Sequence, residues 1–448
     1  MLKTFRLGGI HPAENKLSAN QPIEALAIPA QVIIPLGQHI GAPAQAIVKK
    51  GDEVKVGTLI GEAAGFVSAN IHSSVSGKVA KIDQAPDASG NKRLAIYITV
   101  AGDEWEETID RSTTLNKEIT LDAKALVEKI KQAGIVGLGG ATFPTHVKLM
   151  PPPNTKPEVI IINAVECEPY LTSDHQLMLE KAEEIIVGVR ILMQAVGINK
   201  AIIGIENNKP DAIKRMQEVA APYSEISIEA LKVQYPQGGE KQLIDACIRR
   251  QVASGALPIS TGAIVQNVGT AFAIYEAVQK NKPLFERVVT ITGKSVAKPC
   301  NLLVRVGTPI TDLIEKAGGL PEDTGKVISG GPMMGKAMPT LESSVNKGCS
   351  GILVMQDIEA RRGEMVDCIR CAKCVNVCPM GLNPTTLMRL SELNMLEEAE
   401  EERIKDCIEC GSCSYTCPSK RTLLDYIRLG KGRVGAMIRT RNAAAAAK

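Results

Sequence analysis

The sequence predicts a multidomain α/β protein, and three observations carry that prediction. Short strand-like segments punctuated by glycine fill the stretch before residue 105. Strand-like and helix-like segments alternate from 120 to 285. A helical C-terminal part holds a cysteine run that occurs twice. At 448 residues the chain is long enough for roughly three domains of about 150 residues each. Its 44% apolar and 23% charged residues suffice for ordinary packed cores.

The elements follow in order. Residues 1–30 contain Pro12, Pro22 and Pro29 and read as an irregular arm. From 31 to 105, KKGDEVKVGTLIGE (49–62), SSVSGKV (73–79) and RLAIYITV (93–100) read as short strands with turn signals between them. The first two resemble the halves of a biotinyl/lipoyl-type barrel-sandwich domain. The joining stretch AAGFVSAN (63–70) has no lysine, so a structural or docking module is expected rather than a carrier.

From 120 to 285, VIIINA (159–164), AIIGIE (201–206) and GAIVQN (262–267) read as strands. Helices are expected over 177–196 and at about 210–220, 240–252 and 270–280. Such alternation implies a Rossmann-like layered domain with a largely parallel sheet. RVVTITG (287–293), NLLVRVGTPITDLIEKAGG (301–319), KVISGGPMMG (326–335) and GILVM (351–355) make 286–355 a small mixed β domain with one helix. Residues 356–430 read as a helical, cysteine-rich domain including a helix over 387–404, and 431–448 as a basic, alanine-rich tail.

Composition limits the function. With 52 basic and 49 acidic residues, net charge +3 and 3% aromatics, the chain lacks the basic excess and stacking surface of a nucleic-acid binder. No apolar run approaches the roughly 18 residues of a membrane span. The opening MLKTFRLGGIHP has no apolar core of a secretory signal. A cytoplasmic setting is expected, where thiols stay reduced, so the 12 cysteines call for something other than disulfides.

DCIRCAKCVNVCP (367–379) recurs as DCIECGSCSYTCP (406–418), 39 positions later. Both copies follow C-x2-C-x2-C-x3-C-P, the two-cluster iron–sulfur pattern in which the fourth cysteine serves the other cluster. Cys368, Cys371, Cys374 and Cys417 are expected to hold one [4Fe–4S] cluster, and Cys407, Cys410, Cys413 and Cys378 the other. Structural zinc is the alternative, but its usual paired C-x2-4-C spacing fits poorly. Two adjacent clusters with full ligand sets suit single-electron transfer. Cys247, Cys300 and Cys349 read as small buried hydrophobes, with Cys167 the one to watch. His146 and His175 stand apart from any cluster, and the acidic run 397–402 reads as a solvated helix face.

GIVGLGGATFPTHVKL (134–149) is a glycine loop that lets backbone approach a planar or phosphorylated ligand. GLGGATFPTHVK resembles the flavin loop of the 51-kDa NADH-binding subunit of complex I, and NAVECEPY (163–170) that family's second flavin/nucleotide motif. GGEKQLI (238–244) and VQNVG (265–269) follow in the family's order. With the β domain and the double cysteine run, residues 1–430 resemble the C subunit of Rnf-type electron transport complexes.

The resemblance implies a β-grasp-like (SLBB) domain over 286–355 and a ferredoxin-like helical domain after it. It also implies FMN at Gly137, Gly139, Gly140, Lys148, Asn163, Glu166 and Asn267. Phe143, Glu168, Gly239 and Glu240 would lie near NADH. The chain departs from the complex I pattern at Thr142 and Val165, where glycine and aspartate are usual, and at Lys241, where a second glutamate is usual. The family further implies integral and peripheral membrane partners, ferredoxin as an indirect partner, ion translocation, and a peripheral place on the cytoplasmic face of a bacterial cell membrane. Two other functions are weighed: a soluble flavin/iron–sulfur reductase of the cobalamin-reductase type, and a cluster-bearing scaffold without nucleotide.

Overall fold

The structure, a computed structural model, describes residues 2–446. Residues 31–100 form a four-stranded sheet and a three-stranded sheet packed face to face. The first has the order Gln31–Pro35, Lys92–Val100, Gly77–Pro86, Glu53–Val54; the second Gln45–Ala46, Leu59–Glu62, Ile71–His72. Alternating Val32, Ile34, Ile96 and Ile98 fill the space between the sheets, as half-buried strands require.

The central domain is a parallel sheet of four strands in the order Ile226–Leu231, Ala201–Glu206, Val159–Asn163, Ala263–Asn267. Counted along the chain this is 3-2-1-4, so the winding direction reverses between Val159–Asn163 and Ala263–Asn267. The helix expected over 177–196 is two helices, Ser173–Glu180 and Ala182–Val196, broken at Lys181. Gly188 in the second lies so close to the helix Val268–Gln279 that a Cβ there would overlap the carbonyl oxygen of Ala271.

A mixed six-stranded sheet with the helix Ile310–Lys316 follows, its order Ile23–Ala25, Cys300–Arg305, Glu286–Thr292, Gly351–Gln356, Thr324–Ser329, Lys336–Ala337. Its first strand comes from the arm, so the expectation of a wholly irregular arm is corrected. Ile23–Ala25 pairs in parallel with residues 301–303, covering an otherwise open sheet edge. Trp105, the one tryptophan of the chain, packs edge-on to Phe285 at 5.3 Å between the guanidinium groups of Arg111 and Arg305. It marks the junction of the barrel-sandwich and β-grasp domains.

The C-terminal part packs the helices Pro384–Glu392 and Leu396–Glu401 against the long helix Leu423–Ala446 around Leu387, Ala399, Ile427 and Val434. The expected single helix over 387–404 is broken near Asn394, which has φ +57°. Residues 361–372 have no regular structure. The tail expected from 431 instead continues the helix, because Val434 anchors it in the core and alanine is the best helix former. Ala447 and Lys448, the end of that expected tail, lie outside the described residues.

Candidate functional site

In an open α/β sheet the ligand crevice lies beyond the carboxyl ends of the strands where the winding reverses. Here those ends are Asn163 and Asn267, partners in register on adjacent strands. Asn163 Nδ2 donates to Gly238 O at 2.8 Å. Asn267 Oδ1 accepts from Gly269 N at 2.8 Å, capping the helix Val268–Gln279, while its Nδ2 donates to Asp174 Oδ2 at 2.7 Å. The glycine loop closes over the same edge, with Gly137 N donating to Phe143 O at 2.9 Å and Leu138 N to Thr270 Oγ1 at 2.9 Å. A Cβ on Gly139 would stand 3.4 Å from the Asn267 amide, and Gly140, at φ +65°, faces open space. The loop, Asn267, Asn163 and Gly238 thus form a cradle at the switch point, open beside Gly140.

Thr142 takes the glycine-like conformation its position demands, with φ +51°. Val165 is buried in the sheet's core, and its carbonyl accepts from Lys209 Nζ at 2.8 Å. Lys148 Nζ donates to Glu240 Oε1 at 2.7 Å and Val265 O at 3.1 Å. Glu240 opens the helix Glu240–Ile248, with Gly239 at its N-cap. Lys241 faces Asp406 of the cysteine-rich domain at 4.0 Å, which gives the lysine at this position a partner.

Two expected contact residues are otherwise engaged. Glu166 accepts from Asp174 N at 2.8 Å, His175 N at 3.1 Å and Ser173 Oγ at 3.2 Å, so it caps the helix Ser173–Glu180. Glu168 lies under the loop 329–335, accepting from Met334 N at 2.8 Å and Met333 N at 3.1 Å; burial pushes its carboxyl up to about 7. Both carboxylates thus hold structure within the protein, Glu166 at a helix start and Glu168 at a loop of the β-grasp domain. Asp174 is also pushed up to about 7, by burial first and then by Glu166. Burial raises the Cys167 thiol far above the usual range, and its Sγ accepts from Gly238 N at 3.3 Å. His175 Nε2 is paired with Asp211 at 2.9 Å.

Sequence reasoning missed the cations behind these loops. Lys16 Nζ, from the arm, donates to the carbonyls of Leu171, Glu166 and Glu168 at 2.7–2.9 Å. Lys347 Nζ donates to Gly134 O at 2.7 Å and Asn70 O at 2.8 Å. Arg287 reaches the carbonyls of Lys347 and Leu138. Each satisfies the inward carbonyls of a loop that has no ladder to pair them.

The cysteine runs fold as matching turns. Arg370 and Ala372 in the first copy, and Glu409 and Gly411 in the second, all have positive φ. Each turn leads into a short helix, Lys373–Asn376 or Ser412–Thr416. Cys378, Cys407, Cys410 and Cys413 line one cavity with Pro379, Met380, Leu382 and Ile427. Burial first, and then the neighbouring cysteines, push Cys413 up to about 12; in Cys407, pushed up to about 11, burial again dominates. Four thiols around an apolar-walled space fit a cubane. Among the described residues no three Cys, His, Asp or Glu side chains converge on a single-ion position, as tetrahedral zinc requires. Cys374 and Cys417 share an apolar cluster with Met388 and Leu423, whereas Cys368 and Cys371 are exposed.

The buried set adjoins the central domain. Tyr235 Oη donates to Cys410 O at 2.8 Å, Gln242 Nε2 donates to Pro379 O at 3.2 Å, and Gly9 N of the arm donates to Val377 O at 3.0 Å. Ile10, Tyr235, Cys410, Cys167 and Met333 form one apolar cluster between the two domains.

A glycine loop at the switch point of the sheet, with a cysteine-lined cavity adjoining its domain, has the parts of a flavin and iron–sulfur electron-transfer protein. Family comparisons agree: residues 3–103 match an RnfC barrel sandwich hybrid domain, 130–276 a Nuo51 FMN-binding domain, 288–337 an SLBB domain and 363–418 a 4Fe-4S dicluster domain. The chain is 49% identical over 431 residues to the C subunit of the proton-translocating ferredoxin:NAD(+) oxidoreductase complex of Clostridium ljungdahlii, covering 96% of this chain and 93% of that one. It is 45% identical over 441 residues to the C subunit of the Na(+)-translocating complex of Acetobacterium woodii, covering 98% and 99%. The air-oxidized NAD+-reducing [NiFe]-hydrogenase shares the fold at TM-score 0.51 and 17% identity, over 72% of this chain and 68% of that one. The chain belongs to the family of C subunits of ion-translocating ferredoxin:NAD(+) oxidoreductase complexes. Its cofactors are FMN and two [4Fe–4S] clusters.

Proposed function

We propose that this protein carries electrons between NAD(H) and neighbouring members of its complex, and that burial orders its sites along the way. FMN, when bound, supplies the exchange between hydride pairs and single electrons. Gly137, Gly139, Gly140, Asn163 and Asn267 shape its cradle, and Lys148 contributes a positive charge. Glu166 and Glu168 hold the adjoining loop from behind. Phe143, Gly239 and Glu240 border the space for NADH. Cys378, Cys407, Cys410 and Cys413 form the flavin-side station, and the more exposed set, Cys368, Cys371, Cys374 and Cys417, the partner-side station.

The carrying observation is that residues 163–171 face both ways. Asn163 ends the strand at the cradle, and Cys167 packs in the cluster that contains Cys410. Relatives named for ferredoxin:NAD(+) oxidoreductase complexes support ferredoxin as an indirect partner and ion movement through other subunits. Among the described residues no helix is long and apolar enough to cross a membrane. That fits peripheral docking on integral subunits at the cytoplasmic face of a bacterial cell membrane.

The test is an anaerobic NADH titration of wild type and Cys378→Ser, followed by EPR and flavin absorbance. The variant should still bleach flavin but reduce the partner-side cluster far more slowly. Wild-type reduction of that cluster in Cys378→Ser would refute the site order.

A further inference from the structure

Tyr235 belongs to neither the flavin motif nor the cysteine runs, yet it stands where the two domains meet. Its side chain is buried. Its backbone pairs with the arm through both its polar groups: Tyr235 N donates to Ile10 O and Ile10 N to Tyr235 O, each at 2.9 Å. Its hydroxyl donates to Cys410 O at 2.8 Å and lies 3.4 Å from Glu168 Oε1. Three residues later, Gly238 contacts the cradle directly, accepting from Asn163 Nδ2 and donating to Cys167 Sγ. One short segment, 235–238, therefore touches the flavin-side cysteine set at one end and the cradle at the other.

We infer that Tyr235 is a positioning residue for electron exchange, holding the flavin-side cysteine set against the cradle through the Cys410 carbonyl. This rests on the site order proposed above. Two physical effects follow from the contact. The buried ring fixes how far the Cys410 turn stands from the segment that borders the cradle. The O–H dipole points its positive end at the backbone of a cluster ligand, which favours the reduced, more negative cluster; hydrogen bonding around the ligands is a principal lever on cluster potential. Phenylalanine keeps the ring and removes only the donor.

The experiment compares wild type, Tyr235→Phe and Tyr235→Leu as anaerobically prepared holoproteins. Iron and FMN are quantified, the midpoint potentials of both clusters are titrated by EPR, and flavin-to-cluster electron transfer is followed by stopped flow. In Tyr235→Phe, with iron and FMN at wild-type levels, the flavin-side cluster should become harder to reduce, by at most about fivefold, the whole net worth of one hydrogen bond. That equals about 40 mV for a one-electron couple. The partner-side potential should not move. Tyr235→Leu, which also removes the ring, should slow flavin-to-cluster transfer further than Tyr235→Phe.

Unmoved potentials and rates in Tyr235→Phe would overturn the inference, as would equal shifts of both clusters. Loss of iron from Tyr235→Phe would make the contact one of cluster assembly and overturn it too. Because Cys378→Ser tests the site order separately, an unmoved potential in a protein whose order holds counts against Tyr235 alone.

Discussion

Replacing Lys347 with methionine should change how stability depends on pH. Its ammonium is fully buried, faces no carboxylate, and donates to the carbonyls of Gly134 and Asn70, tying the entrance of the glycine loop to the barrel-sandwich domain. Burial pulls its pKa down from 10.5 to about 7. The unfolded lysine keeps its proton until about pH 10.5, so between pH 7 and 10.5 the unfolded chain binds more protons and stability rises with pH. Below pH 7 both states are protonated and the burial cost is present in full, at most about 5 kcal/mol from 1.36 kcal/mol per pKa unit. Lys347→Met removes that cost but leaves two carbonyls without a donor, each worth about 1–3 kcal/mol. At pH 6 the two proteins should therefore be of similar stability. By pH 9.5 wild type should have gained about 3 kcal/mol on the variant. Urea unfolding followed by the fluorescence of Trp105 reports on this junction. A wild-type-minus-variant difference that stays constant from pH 7 to 9.5 would show that Lys347 does not titrate there and would refute the argument.

Three further substitutions have expected outcomes. Lys282 lies between Glu276 at 2.5 Å and Glu286 at 2.6 Å in a mostly buried triad, so Lys282→Met should cost about 3–5 kcal/mol, read as a lower thermal midpoint. Gly188→Ala should push the helix Ala182–Val196 off the Ala271 carbonyl and cost about 1–3 kcal/mol in urea unfolding. Asn267→Ala removes a helix cap worth about 1 kcal/mol and one wall of the cradle; equilibrium dialysis should show weaker FMN retention than in wild type.

Much of the fold was legible because its central strands are continuous apolar runs, as a parallel sheet covered on both faces requires. VIIINA, AIIGIE and GAIVQN all lie within a residue of the strands Val159–Asn163, Ala201–Glu206 and Ala263–Asn267. The fourth strand, Ile226–Leu231, was not legible. It lies at the sheet edge, where only its two end residues are buried and the pattern falls below a recognisable period. In the site, glycine carried the signal for the loop and spacing carried it for the cysteines. The cations behind the loops gave no such signal. Lys16 caps carbonyls 150–155 positions away and Lys347 one 213 positions away, so a lone lysine has no local pattern to betray it. The carboxylates of Glu166 and Glu168 were legible as motif but not as geometry, because their donors come from a helix start and from a loop of another domain.

The arm reads as irregular in sequence, yet it links the central and cysteine-rich domains. Gly8 and Gly9 have φ +69° and +95°, conformations that side chains disfavour. A Cβ on Gly8 would stand 2.6 Å from Val377 O, and one on Gly9 2.8 Å from the ring of Phe5. The close approach lets Gly9 N bond Val377 O, one residue from Cys378, while Ile10 pairs with Tyr235. Farther on, Lys16 grips the loop 166–171, and Ile23–Ala25 joins the β-grasp sheet. Residues 8–25 thus touch the cluster domain, the loop 166–171 and the β-grasp domain in turn. A chain lacking them would lose the contacts of Gly9 and Ile10 that link the cysteine-rich domain to the segment at Tyr235. On the proposed site order, single-electron transfer depends on that adjacency, because neither domain can supply it alone.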